Sequence, residues 1–425
     1  MYKPELLAPA GDLVRMQYAL AYGADAVYAG QPAFSLRARE NGFKNLDDIA
    51  KGIEICHKMG RKFYLTSNVI SRNGKVEKFC ETLVEAAKLG PDAAIVADPG
   101  VVGFLLKNVP ELEVHLSVQA NCTNWLTGKF WTDLGVKRLI LSRELSLKEV
   151  LEIKEHLPET ELEVFVHGNI CMAMSGRCML SNWVAHRDAN QGACNNSCRM
   201  PYKLFANPEV QADDYKEHEG RFSLMRSDKP ELPPIDLDED RWGTYFMSSR
   251  DLCALELMPE LLNAEIASFK VEGRTRSVYY LSQVVRAYRM AIDSVMAGNG
   301  VPDAARDAIA LTDSRGRMPG FGKGNYLPQN YETTQEKSEA GCVAALVQEA
   351  ENGMLSVQVK NAFSPDDKVE LMTPKGLVPL KIEALLDFKG GAADRLHPGT
   401  VGKVAVEGEL PCEEDLKYAF LVLRH

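Results

Sequence analysis

The sequence predicts a (β/α)8 TIM-type barrel with a Cys-rich insertion after its seventh strand, followed by a small C-terminal all-β barrel. Three observations carry this expectation. Short apolar strands alternate with amphipathic helices over residues 1–300, and most of the helices run into a glycine. The alternation breaks once, over residues 168–247, where four cysteines gather and a polar stretch contains Pro230, Pro233 and Pro234. From Gly341 the apolar period falls to two, the signature of strands with one buried face.

Strand one is expected over residues 5–8, with a helix over 13–22 that Gly23 stops. Strand two covers 26–29 and its helix 46–59, ended by Gly60. Strand three covers 62–67 and its helix 76–89, ended by Gly90. Strands four, five and six cover 93–97, 113–118 and 138–141, with helices near 101–108, 125–134 and 147–156. Strand seven covers 163–166. After the insertion come a helix over 252–262, strand eight at 267–271 and a long closing helix over 278–296. Eight strands alternating with eight helices indicate a closed parallel barrel. Residues 301–335 read as a linker, punctuated by Pro302, Pro319, Gly320, Gly322, Gly324 and Pro328. Residues 336–425 read as the β domain, with strands at 342–347, 354–359, 368–372, 377–382, 401–406 and 418–423.

The composition narrows the function. The chain has 425 residues, 45% hydrophobic and 25% charged, which is ordinary for a soluble globular protein. No apolar run is long enough to span a bilayer, and the first residues read as a strand, without the apolar core of a signal peptide. The expectation is a cytoplasmic protein with no membrane partner, whose cysteines stay reduced. The formal charge of −10 argues against indiscriminate binding to nucleic acid. A local basic surface remains available at Arg177, Arg187, Arg199 and Lys203.

The active site of this fold lies at the C-terminal ends of the strands. Those ends carry Arg37 and Arg39 after strand two, Asn68 after strand three and Asp98 after strand four. Gln119 follows strand five, Arg143 strand six, His167 strand seven, and Glu272 and Arg274 strand eight. His167, Asp98 and Glu272 are the candidate catalytic groups; Arg37, Arg39, Asn68, Gln119, Arg143 and Arg274 are the candidate substrate contacts. Arginine forks suit bidentate recognition of carboxylate or phosphate, so an anionic ligand is expected. Each has a plainer alternative: Asp98, before Pro99, as a helix cap; His167 as a satisfied buried histidine; Arg274 as a rim ion pair. No G-x-S-x-G elbow and no H-E-x-x-H helix is present, which leaves a serine hydrolase or zinc protease without its motif.

Cys171, Cys178, Cys194 and Cys198 follow the spacing C-x6-C-x15-C-x3-C. Four soft thiolates in one glycine-bearing loop can hold a metal or an iron–sulfur cluster. Structural zinc favours two short C-x2-4-C clips, and only the second pair here is close. Cys253 is an alternative fourth ligand because it follows the insertion. Cys56, Cys80 and Cys122 sit in apolar contexts and read as packing residues.

The stretch E-x-F-x-H-G-x-x-C-x-x-x-S-G-x-C-x-x-S, Glu163 to Ser181, resembles the signature of peptidase family U32, the collagenase-like proteases. The segments ELLAPAG at 5–11, GADAVY at 23–28, SVQAN at 117–121 and VEGRTRS at 271–277 are similar to that family as well, as is the C-terminal domain. Within the family, the two-domain length and the GACNNSCR segment at 192–199 are most similar to the members that hydroxylate tRNA. The resemblance implies a tRNA-modifying hydroxylase forming 5-hydroxyuridine at the wobble position. It also implies a [4Fe-4S] cluster on Cys171, Cys178 and Cys194 with Cys198 or Cys253 as fourth ligand, and prephenate, a small dicarboxylate, as co-substrate. The competing expectations are a peptidase, as the family name suggests, and a non-catalytic RNA-binding factor with a structural metal.

Overall fold

Eight parallel strands close on themselves in a computed structural model of the chain. The structure describes residues 2–36, 38–200, 222–224, 235–240, 243–245, 249–322, 337–351, 353–408 and 410–425; within 222–245, and at Arg39, only the backbone is described. The barrel strands are β1 Glu5–Ala10, β2 Ala26–Gly30, β3 Lys62–Ser67, β4 Ala93–Val96, β5 Glu113–Leu116, β6 Arg138–Ile140, β7 Glu161–Asn169 and β12 Ser268–Val271. Each pairs in parallel with the next, and β12 pairs with both β7 and β1, which closes the ring. The helices α1 Leu13–Ala21, α2 Leu46–Lys58, α3 Asn73–Ala87, α4 Pro99–Asn108, α5 Trp125–Asp133 and α6 Leu147–His156 follow the first six strands. Asp12, Asn45, Asp98, Asn124 and Ser146 cap five of them by accepting a first-turn N–H.

Strand alternation divides the core in two. Leu6, Ala8 and Ala10 of β1 face the helices, while Leu7 faces the barrel axis with Tyr28, Tyr64, Ile95, Ile140 and Phe165. The axis also holds charge. Arg138 reaches Glu5 at 2.6 Å and Glu163 at 3.2 Å, and Lys270 Nζ donates to Glu163 at 2.8 Å. Glu163 is fully buried; burial works against its ionised form, but Lys270, Arg138 and His115 together hold its carboxyl below the usual range.

The insertion carries α7 Leu180–Ala185 and a three-stranded antiparallel sheet of β8 Phe222–Leu224, β9 Ile235–Asp240 and β10 Gly243–Tyr245. The chain then returns as β11 Asp251–Cys253, antiparallel to β7, where the sequence had suggested the start of a helix. The helix begins only at α8 Met258–Asn263. Then α9 Val278–Met296 closes the barrel. The stretch expected as a linker contains α10 Asp303–Ala310 and β13 Arg317–Met318, which pairs with β11.

The C-terminal sheet is not the closed barrel expected from the sequence. Its strands are β14 Gly341–Glu351, β15 Met354–Val359, β16 Val369–Thr373, β17 Gly376–Leu380, β18 Ile382–Leu386, β19 Ala392–Ala393, β20 Val401–Val406 and β21 Phe420–Arg424, with α11 Glu413–Leu416 between the last two. They lie in the order β17-β16-β21-β14-β15-β20-β18-β19, and the two end strands do not pair. One edge, β17, contains Pro379, which has no N–H to give a further strand; the other, β19, is only two residues long. A second reason lies in β21, which is buried on both faces. Leu421 and Leu423 face the sheet's own core, while Phe420 and Val422 pack on the barrel helices. Phe420 lies 5.2 Å from Tyr18 and 5.5 Å from Tyr279, and Tyr22 donates to the Tyr418 carbonyl at 3.0 Å. Period-two alternation reports a buried face; it carries no information about whether that face curls shut.

Candidate functional site

The cysteine insertion is pinned onto the strand ends at three glycines, each of positive φ. A Cβ on Gly168 would lie 2.2 Å from the Glu272 carbonyl, one on Gly176 2.2 Å from that of Gln119, and one on Gly192 2.6 Å from that of Ser35. Only glycine permits these approaches. Arg143 and Glu144, after β6, complete the anchorage. Arg143 Nη1 donates to the Asn169 carbonyl at 3.0 Å, and Glu144 accepts from the Ser175 N–H at 2.8 Å.

This docking brings all four insertion cysteines to one cavity of ≈ 160 Å³ at the barrel mouth. Cys171 is exposed, and Cys178, Cys194 and Cys198 are half-buried. Burial pushes the Cys198 thiol up, and the nearby Cys171, Cys194 and Cys178 thiols push it further against the opposing effect of Arg199. Among the described residues no three His, Cys, Asp or Glu side chains converge closely enough to hold a single metal ion.

The same cavity receives Asn68, Gln119, Arg143, Glu272 and Arg274 from the strand ends. Asn68 accepts from the Leu36 N–H at 3.1 Å and donates to Ser117 at 3.2 Å; Arg274 Nη2 donates to the Leu36 carbonyl at 2.8 Å. The floor is aromatic, with Tyr28 and Phe165 on either side of Lys270 Nζ at 4.3 and 5.4 Å. Two polar atoms on the wall, Thr66 Oγ1 and Glu272 Oε2, are buried with no hydrogen-bond partner among the described residues. Buried polar atoms are normally satisfied, so such atoms mark a place where a bound group completes the bonding. With Lys270 already paired to Glu163, Arg143, Arg199 and Arg274 outweigh Glu272, which leaves a mouth suited to an anion.

Three expected residues lie elsewhere. Asp98 accepts from the N–H groups of Gly100, Val101 and Ser71 at 2.9, 3.3 and 3.0 Å, as a cap of α4. His167 faces the helices. Between β7 and β12 the register steps from Lys270↔Phe165 to Val271↔His167, so Val166 is one residue extra. Phe165 points along the axis; the bulge turns His167 outward against Tyr280 and Tyr288. There burial pushes its pKa down to about 3, with Arg317 and Arg276 acting the same way. Cys253 lies opposite His167 in the β11–β7 pair, does not line the mouth, and has its thiol pushed up by burial. Arg37 and the Arg39 side chain, like Lys203, lie outside the described residues.

Sequence reasoning missed Lys270 and Thr66. The available signal was a lysine at an axis-facing position in an otherwise apolar strand, two residues after Ser268 and in the same alternation phase.

The sequence profile described as Peptidase family U32 matches residues 11–335, and that of the Peptidase family U32 C-terminal domain matches residues 341–422. The chain is 41% identical over 419 residues to tRNA hydroxylation protein P of Haemophilus influenzae, covering 92% of this chain and 91% of that one. It is 40% identical over 446 residues to tRNA hydroxylation protein P of Escherichia coli, covering 99% and 97%. It is 38% identical over 303 residues to a protein of Methanocaldococcus jannaschii named an uncharacterized protease, covering 70% and 67%.

Proposed function

The chain belongs to peptidase family U32, and we propose that it is a tRNA-modifying hydroxylase that forms 5-hydroxyuridine at the wobble position. The observation that carries the reading is the convergence of Cys171, Cys178, Cys194 and Cys198 on one cavity at the barrel mouth. The donor set fits an iron–sulfur cluster better than zinc. Four thiols and no imidazole line the cavity among the described residues, and the one carboxylate there, Glu272, lies at the end of β12. Cys171, Cys178, Cys194 and Cys198 would hold a [4Fe-4S] cluster, which would supply electron transfer at the mouth.

The remaining mouth residues have roles that follow from their chemistry. Lys270, Arg143 and Arg274 attract a small dicarboxylate such as prephenate, and the Tyr28 and Phe165 rings accept its apolar ring. A cavity of ≈ 160 Å³ admits a small group and not a folded RNA, so tRNA would have to present a single extruded base. Glu272 Oε2, buried and without a partner among the described residues, is placed to accept a proton or an N–H from that base. His167 takes no part, because it is turned away from the cavity.

The test is mass spectrometry of tRNA from a strain lacking this gene. Loss of one oxygen from the wobble uridine, restored by the wild type and not by Arg274→Ala, supports the reading; unchanged tRNA rejects it. A peptidase is the second reading, favoured by the family's description and by the name of the M. jannaschii relative. Gelatin cleavage by purified protein that persists in Cys171→Ala would favour it. A non-catalytic RNA-binding factor would leave tRNA modification intact while retaining tRNA binding.

A further inference from the structure

Beside the mouth lies a larger cleft that the hydroxylase reading does not use. Its volume is ≈ 550 Å³, within the range of pockets that hold small ligands. Its wall includes residues 275–277 at the N-terminus of α9, Leu311, Thr312, Asp313 and Arg315 after α10, and Cys342 and Val343 at the start of β14.

Arginines gather in this cleft. Arg276 and Arg315 both bond to the one carboxylate of Asp251, the first at 3.1 Å, and both donate to Asn169 Oδ1, at 2.9 and 3.1 Å. Arg199, from the cysteine insertion, adds a third guanidinium to the wall. Arg317 stands close behind, donating to the Ile309 carbonyl at 2.8 Å. Among the described residues Asp251 serves both Arg276 and Arg315, and Asp313 Oδ1 accepts from the Ser338 N–H at 3.0 Å. Two like charges sharing one carboxylate in a buried setting call for a further anion.

A second observation points the same way. Arg315 is 3% exposed, and its Nη1 is buried with no hydrogen-bond partner among the described residues, although its other nitrogens are engaged by Asp251 and Asn169. A guanidinium N–H left unmet at a cavity wall is costly unless a ligand meets it. The third is α9 itself. This 19-residue helix directs its N-terminus at the cleft, and Ser277 caps only the Tyr280 N–H, at 3.2 Å. The other first-turn N–H groups carry partial positive charge outward. The position, directly after the eighth barrel strand, is where this fold commonly holds phosphate.

From the juxtaposition of the α9 N-terminus, Arg276 and the partly unmet Arg315 we propose that the cleft is a phosphate-binding site, adjoining the cysteine mouth at Asn169 and Arg199 but lined by none of its cysteines. Tyr279 and Tyr280 on its wall leave room for the group that bears the phosphate. That bearer is either a free mononucleotide or a phosphodiester of an RNA chain.

The full-length wild type is titrated calorimetrically with inorganic phosphate, uridine 5′-monophosphate and an RNA stem-loop, alongside Arg315→Gln and Val343→Glu. Val343→Glu adds a carboxylate to the cleft from the β14 side without touching the arginine network, so it decides the matter if Arg315→Gln fails to fold. Saturable phosphate binding to the wild type, weakened at least about tenfold in Val343→Glu, supports the site. Mononucleotide binding tighter than that of phosphate, lost in Val343→Glu, identifies a free nucleotide. Displacement of phosphate by the stem-loop, with stem-loop affinity falling in Val343→Glu, identifies RNA. Absent saturable binding, or binding unchanged in Val343→Glu, overturns the proposal. None of the four mouth cysteines lines the proposed phosphate contacts, so Cys171→Ala should bind phosphate as the wild type does even if hydroxylation is lost.

Discussion

Acid should destabilise this protein through His167, and replacing His167 should remove that sensitivity. The side chain is 2% exposed between Tyr280 and Tyr288, and burial, Arg317 and Arg276 together push its pKa down to about 3. An unfolded histidine titrates near ~6.5. The folded state therefore holds the neutral ring, and the stability this provides is full above about pH 6.5 and lost as pH falls from there toward the folded pKa. Each pH unit in that window costs about 1.4 kcal/mol, so going from pH 7 to pH 5 costs about 2 kcal/mol from this residue alone. Urea unfolding of the wild type and His167→Gln at both pH values isolates the contribution, because other titrating groups act alike in both. The wild type should lose about 2 kcal/mol more than the variant. Equal losses would refute the burial argument.

Lys270→Met leaves the fully buried Glu163 with Arg138 as its remaining close cation, so stability should fall by about 3 kcal/mol in urea unfolding; adding Glu163→Gln should recover much of it. Gly176→Ala puts a Cβ 2.2 Å from the Gln119 carbonyl at a φ of +74, which lifts the cysteine loop off β5. Its iron content should drop sharply while far-ultraviolet circular dichroism stays that of the wild type. Cys198→Ala should lose iron and Cys253→Ala should retain it, because only Cys198 lines the mouth with the other three cysteines; elemental analysis of anaerobically purified protein reads both.

Much of the barrel was legible because its signals are local. The limits of α6 and α9 matched the sequence expectation to the residue, since Ser146 and Ser277 cap their starts and apolar periodicity fills their lengths. Strand-end reasoning also brought Asn68, Gln119, Arg143, Glu272 and Arg274 to the same cavity as the cysteines. It failed at His167, where alternation alone puts the side chain on the axis. A bulge at Val166 depends on β12 and β11 on either side of β7, and strand pairing between distant segments leaves no mark in a local window. It failed again in the C-terminal sheet, where the open edge at Pro379 and the helix-facing side of β21 are set by partners far along the chain. Lys270 was passed over because only the residues beyond the end of strand eight, Glu272 and Arg274, were candidates, whereas here Glu163 offsets the cost of burying a lysine inside the strand.

The most direct measurement is anaerobic reaction of the purified, iron-loaded protein with tRNA from the deletion strain in the presence of prephenate, followed by nucleoside mass spectrometry. The expected result is 5-hydroxyuridine at the wobble position with wild type, none with Cys171→Ala, and none with Arg274→Ala. Wobble uridine left unmodified by the wild type, or modified equally by Cys171→Ala, would contradict a hydroxylase built on the four-cysteine mouth.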